Sequence, residues 1–330
     1  MGSRGLVPAW SGARSLEGPM QVHHLRRDEL PGLPTVAALG TFDGVHLGHR
    51  EVLGRTVAEA RDRGIDSAAV TFDLHPAQVL RPESAPKLLT SFDEKLELIA
   101  DCEIDRTFVI GFDEAEAERA AGEFVETVLL GQVGAVALVV GHNLHFGHRR
   151  EGNVDFLRSM GTDVEVVSVD PVKESLTDLE AISSTAIRRA LRGGEVAHAA
   201  RMLGRPYSAK GEVIHGDHRG RTIGFPTANI RVVEERAWPS EGVYAGWFEQ
   251  PSGSIHPCAI NFGRRPTFHQ HAQHSLLEAH LLDFDADLYG QVCKVAFVEF
   301  LRSERRFDGI DALVAQLKED VGAARVVLEV

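Results

Sequence analysis

Val36-Ala-Ala-Leu-Gly40-Thr-Phe42-Asp43-Gly44-Val-His46-Leu-Gly-His49-Arg50 sets an apolar run directly against a glycine-bounded turn and two histidines three residues apart. The run reads as a buried strand and the histidines as the opening of a helix. Gly40 and Gly44 let the chain turn tightly between them. The first turn of a helix offers unpaired N–H groups and the positive end of the helix dipole, a ready seat for phosphate. At their spacing His46 and His49 share one helical face. Zinc is the competing use of two such imidazoles, but the third and fourth ligands it usually takes are not evident nearby. Phosphate is therefore the leading ligand.

Working outward, the apolar runs Val36–Leu39, Ala68–Phe72, Thr107–Ile110, Val136–Val140 and Val164–Val169 alternate with longer amphipathic segments. That rhythm predicts a parallel, doubly wound sheet. Ligands of such sheets sit beyond the carboxyl ends of the strands. Three polar segments follow strand ends here: Gly40 to His49, Phe72-Asp-Leu-His75-Pro76, and Gly141-His-Asn143-Leu-His-Phe-Gly147. A fourth, Ile182-Ser-Ser184-Thr185-Ala-Ile-Arg188, opens a helix with hydroxyls, and Arg188 lies one turn beyond Ser184. A simple helix cap is the ordinary use of such hydroxyls.

Past the glycine pair Gly193-Gly194 the rhythm changes to short β-type runs, Gly211–Ile214, Gly242–Phe248, Ala259–Phe262, Leu277–Leu282 and Lys294–Leu301. Regularly spaced short strands predict a small antiparallel barrel. The chain closes on a helical pattern whose apolar positions are Ile310, Leu313, Val314, Leu317 and Val321, the expected packing face. Gly211, Gly216, Gly220 and Gly224 surround Phe225-Pro226-Thr227-Ala-Asn229, and glycines of this kind let backbone approach phosphates. If Thr227 to Ile230 is extended, Thr227 and Asn229 share a face as two neutral oxygen ligands suited to magnesium with nucleotide phosphates. A polar strand face on an ordinary barrel is the bland alternative. The expected division is 1–19 disordered or foreign to the fold, with Met20 a candidate start, then domains 20–198 and 199–330.

The composition, 330 residues with 43% hydrophobic and 25% charged, fits a globular enzyme with two cores. A formal charge of −13 argues against a nucleic-acid binder, which rewards a basic surface. Cys102, Cys258 and Cys293 are far apart and form no Cys-x-x-Cys pair, so a reducing cytoplasm is expected. No run has the length of a membrane span, and the first nineteen residues lack a signal-peptide core. His269, His271 and His274 read as a solvated loop, and Asp113-Glu114-Ala-Glu116-Ala-Glu118 as an exposed helix face.

His-x-Gly-His after a strand resembles the nucleotidylyltransferase superfamily. The longer form at residues 40 to 50, with Gly220 to Asn229 downstream, resembles the bacterial bifunctional riboflavin kinase/FMN adenylyltransferases, the FAD synthetases. The resemblance runs from about Met20 to the end. It implies an α/β nucleotidylyltransferase-type, Rossmann-like domain followed by an antiparallel β-barrel riboflavin kinase domain with a C-terminal helix. It implies ATP, riboflavin, FMN and FAD as substrates and products, with Mg2+ accompanying ATP and no nucleic acid or membrane as partner. Gly40, Phe42, Asp43, Gly44, His46 and His49 inherit phosphate roles. Ser184, Thr185 and Arg188 match the family's triphosphate signature Ser-Ser-Thr-x-Ile-Arg. Leu277-Glu278-Ala-His-Leu-Leu-Asp-Phe284 resembles the segment whose Glu is the kinase base, so Glu278 inherits that role. Asn143 stands where many members carry Asp, and Ala181 where many carry Arg. A riboflavin kinase with weakened adenylyl transfer is thus the runner-up, and a flavin-binding protein without turnover a further one.

Overall fold

The computed structural model describes residues 20–25, 32–174, 180–216, 219–232, 236–264 and 275–330. The chain forms two compact units that divide between Ser184 and Thr185. The triad His269, His271 and His274 lies outside the described residues.

The first unit is built on a six-stranded sheet of β1 (Gln21–His24), β2 (Thr35–Leu39), β3 (Asp66–Phe72), β4 (Arg106–Ile110), β5 (Ala135–Gly141) and β6 (Glu165–Val169), in the spatial order β1-β4-β3-β2-β5-β6. Every pairing is parallel. Both faces are covered, which is why the central strands are apolar throughout. Ala37, Leu39, Ala68 and Val70 join one core with Phe124 and Leu129. Val36, Ala38 and Ala69 join the other with Leu53, Val57 and Ile99. Leu53 and Val57 lie on helix α1 (Leu47–Arg63), which ends at Gly64 in the left-handed conformation, its N–H donating to the Ala60 and Arg61 carbonyls. Helix α2 (Phe92–Ala100) opens on a capping box in which Ser91 and Glu94 satisfy each other's backbone N–H groups.

The second unit begins with helices α3 (Ser184–Arg192) and α4 (Val196–Leu203), joined by Gly193-Gly194 with Gly194 at φ 77°. The boundary read from the sequence, between 198 and 199, falls inside α4, whereas the two units divide at the start of α3. A closed barrel follows, formed by β7 (Tyr207–Ile214), β8 (Ala228–Arg231), β9 (Gly242–Glu249), β10 (Ile255–Arg264), β11 (Ser275–Leu281) and β12 (Val292–Arg302), in the order β10-β11-β8-β7-β12-β9. All pairings are antiparallel, and Tyr244, Phe248, Ile260 and Phe297 are fully buried in this unit.

Helix α5 (Ile310–Leu328) packs on the barrel with Leu313, Val314, Leu317 and Val321 partly buried, as expected, and Val321 joins the core of Trp247, Ala324 and Leu328. Its buried residues are Gln316, Asp320, Ala324 and Leu328, while Ile310 is 66% exposed. Asp320 receives a bidentate pair from Arg302 Nε and Nη2, both at 2.7 Å, and a 2.9 Å bond from Gln316 Nε2. A partnered ionic contact is thus buried beside the apolar stripe.

Candidate active sites

In the first unit β2 lies between β3 and β5, so the segments after these three strands are neighbours at one end of the sheet. The chain lays down β3 and β4 on one side of β2 and β5 and β6 on the other, so the order reverses at β2/β5. A crevice at such a switch point is where open α/β sheets bind ligands.

The loop entering this crevice is strained and firmly tied. Phe42 and Val45 hold φ of 49° and 37°, conformations that cost side-chain-bearing residues on the order of 1–3 kcal/mol each. Gly44, at φ 83°, has no room for a Cβ, which would lie 2.7 Å from Leu89 Cδ1. The restraints are specific. Asp43 Oδ1 accepts from Leu89 N at 2.9 Å and Thr90 N at 3.3 Å, Gly44 N donates to Thr90 Oγ1 at 3.2 Å, and Ser184 Oγ donates to the Asp43 carbonyl at 3.0 Å. The buried Asp43 carboxylate thus shapes the loop.

His46 is the N-cap of α1, its Nδ1 accepting from His49 N at 3.3 Å. A neutral imidazole that accepts at Nδ1 carries its proton on Nε2. His49 stacks on it with ring centroids 3.7 Å apart and 17° between planes, and Phe42 closes edge-on at 5.4 Å from His49. Burial, and secondarily the neighbouring His46, hold the His49 pKa well below the usual histidine value. Its Nδ1 is buried without a hydrogen-bond partner. His49 is consequently a neutral donor and acceptor at pH 7.

Other expected residues fall at different places. Asn143 is exposed just past β5, its carbonyl 3.0 Å from His145 Nδ1. His75 caps the short helix Pro76–Leu80, with Nδ1 accepting from Ala77 N at 3.1 Å. Thr185, exposed, and Arg188, half-buried, stand in the first turns of α3, within the second unit.

The second unit carries a cleft of about 370 Å³ lined by Gly220, Thr227, Asn229, Glu278, Phe284 and Tyr289, among others. Pro226 also faces it. Register explains the core of this group, because Glu278 on β11 lies directly opposite Asn229 on β8, and Asn261 on β10 lies opposite Glu278 on its other side. Directly opposed residues bring their Cβ atoms within about 5 Å. Thr227, one residue before β8, opens into the same cleft.

Gly216 makes room for Asn229, since a Cβ there would collide with Asn229 Nδ2. Gly220 lies against the Phe225 carbonyl, and Gly211 lets β7 pass close to the Arg231 carbonyl. Gly224 turns the chain at φ 84°. Of the four glycines only Gly220 lines the cleft. Sequence reasoning missed the segment after β11, where Asp285, Asp287 and Tyr289 also line it. Their nearness to Glu278 in the chain was the available signal. Asp283 is instead paired with Arg325 at 2.7 Å.

Oxygen donors without a cluster of charged ligands suit a magnesium ion that arrives with a nucleotide. Thr227 and Asn229 beside the Glu278 carboxylate fit that description. Among the described residues no group of three or more His, Cys, Asp or Glu could hold a metal alone.

A strained phosphate-type loop at a switch point, together with a separate oxygen-lined cleft beside a carboxylate, defines a two-site phosphate-transferring enzyme. Residues 32–186 match the FAD synthetase family model and residues 203–328 the riboflavin kinase model. The bifunctional riboflavin kinase/FMN adenylyltransferase of Listeria monocytogenes is 38% identical over 90% of this chain and 94% of its own length. That of Bacillus subtilis is 36% identical over 90% and 93%. A crystal structure described as a macrolide-efflux protein from Streptococcus pneumoniae superposes with a TM-score of 0.84 at 29% identity, covering 93% of this chain and 99% of that one. Among the described residues no helix is long and apolar enough to cross a membrane. The chain belongs to the bifunctional riboflavin kinase/FMN adenylyltransferase family.

Proposed function

We propose that the barrel unit phosphorylates riboflavin with ATP to FMN, and that the α/β site adenylylates FMN with a second ATP to FAD. The observation that carries the reading is the cross-strand pair Asn229–Glu278 beside Thr227, because it sets a base next to two oxygen ligands in one cleft. In the kinase step Glu278 accepts the proton of the ribityl 5′-hydroxyl as that oxygen bonds to the γ-phosphorus and ADP leaves. Thr227 and Asn229 would hold magnesium, which when bound neutralises charge on the nucleotide phosphates.

In the second step an already ionised FMN phosphate oxygen bonds to the ATP α-phosphorus, and pyrophosphate leaves, so no base is required. His46 through Nε2–H and a neutral His49 donate to oxygens on which charge builds. Gly40, Phe42, Asp43 and Gly44 set the loop, and Asn143, Ser184, Thr185 and Arg188 complete the ATP contacts. Arg188 has the planar fork suited to the leaving pyrophosphate. We place the functional boundary at 198/199, so that α3 and its Thr185 and Arg188 count with adenylyl transfer. A cytoplasmic location, in keeping with three cysteines that form no disulfide, belongs to the same proposal. A kinase whose adenylyl transfer has been lost is not favoured, because the His46–His49 stack and the tied Asp43 loop are intact.

The direct test supplies magnesium and ATP with either riboflavin or FMN and separates the flavins chromatographically. FMN followed by FAD from riboflavin, with pyrophosphate released, is expected. FMN accumulating without FAD would overturn the second assignment, and absence of both products the first.

A further inference from the structure

Lys95 lies on α2, is only 8% exposed, and belongs to no motif that the two reactions draw on. An ammonium has three protons to place. Among the described residues its one hydrogen-bond acceptor is the Phe72 carbonyl, at 2.6 Å, the last residue of β3. Its charge also interacts with Asp43, in the loop after β2, and with Asp73, in the turn after β3. The Phe92 ring flanks it at 5.2 Å.

These partners are not scattered. Asp43 holds the 89–90 segment through Leu89 N and Thr90 N, and that segment leads through the Ser91 cap into the helix that carries Lys95. Asp73 Oδ1 accepts from Leu74 N at 2.6 Å and from Phe112 N, beyond β4, at 2.9 Å. One buried cation thus sits where the segments after β2, β3 and β4 are tied together, at the end of the sheet that bears the His46–His49 pair.

A salt bridge kept only for stability is weakly supported by this arrangement. Burying a cation often costs more than its attraction to a buried carboxylate, Asp43, and an exposed one, Asp73, returns, whereas an apolar side chain at this place would pack without that cost. We propose that Lys95 is a positioning residue for adenylyl transfer, holding the Asp43 loop and the Phe72–His75 turn at the spacing that the reacting phosphates require. This rests on the reading of the crevice as the FMN adenylyltransferase site. Burial lowers the lysine pKa to about 8, against the opposing pull of Asp43 and Asp73. The charged form that bridges the two loops is therefore present below about pH 8 and lost above it.

Full-length Lys95→Met and Lys95→Arg would be assayed for FAD formation from FMN and, in the same preparations, for FMN formation from riboflavin. Displacing a reacting group by an ångström costs about a hundredfold. The methionine variant is accordingly expected to lose about ten- to a hundredfold in kcat for FAD, with KM for ATP and FMN shifted by less than about threefold. Its riboflavin phosphorylation should be unchanged, which also shows that the protein is folded. The arginine variant, charged at every accessible pH, should recover most of that kcat and lack the decline in FAD formation expected of the wild type above about pH 8. Wild-type kcat in Lys95→Met, or the same alkaline decline in Lys95→Arg, overturns the role. Should Lys95→Met fail to fold, the alkaline limb of Lys95→Arg decides alone. A wild type that makes no FAD from FMN at any pH instead overturns the assignment of the crevice itself.

Discussion

His49 illustrates how a single side chain is prepared by its neighbours. Stacked on His46 and with Nδ1 buried and unpartnered, it has a pKa well below the ordinary 6.5. Its folded pKa is lower than its unfolded one, so folding sheds a proton, and this residue's contribution to stability is complete above 6.5 and lost as pH falls towards the folded pKa. FAD formation should therefore show no limb near pH 6.5, because His49 is already neutral there; a rate profile with that limb would contradict its neutral state. His49→Ala is expected to cut FAD formation about a hundredfold while sparing riboflavin phosphorylation. Glu278→Gln should do the reverse, lowering FMN formation by a factor of about a hundred or more. If either variant, still folded by circular dichroism, stops both reactions, the two-site assignment is wrong. Gly216→Ala probes the cleft from behind, since the new methyl would push Asn229. Weaker FMN formation, with a raised magnesium requirement in titration, is the expected result.

At the scale of elements, the C-terminal helix carries the clearest energetic prediction. Asp320 is 4% exposed and holds Arg302 through two 2.7 Å bonds. Asp320→Ala leaves that guanidinium without its partner and should cost about 3 kcal/mol in urea denaturation. The same helix shows what was legible and what was not. Its existence, extent and most of its apolar packing residues followed from spacing, but the burial of Gln316 and Asp320 did not, because periodicity cannot register that an Arg on β12 awaits a carboxylate. Edge strand β1 was missed for a related reason. Gln21-Val-His-His24 has no apolar alternation and is held by backbone pairing to β4. Glu116, read as solvated, is buried and paired with Arg119 at 3.0 Å. The four central strands, largely buried, were readable in advance because burial on both faces leaves continuous apolar runs, and the half-buried edge strand β6 was readable from its valines.

For the whole molecule, the two reactions share ATP and differ in the surface that handles it, so metal removal is a common probe. Chelation with EDTA is expected to halt both FMN and FAD formation, and added magnesium to restore both; FMN formation persisting in EDTA would refute the roles given to Thr227 and Asn229. Of the residues lining the barrel cleft, Thr227, Asn229 and Glu278 were singled out from the chain, while Tyr289 was not, since an Asp-rich connection looks like any surface turn. Closure of the barrel has a consequence for how that cleft admits its substrates. Each of its six strands has a neighbour on both sides, like staves in a hooped cask, so Asn229 and Glu278 cannot part without shearing the ring. Entry and exit of substrates must then be governed by the connecting segments at the rim, while Asn229 and Glu278 stay in register.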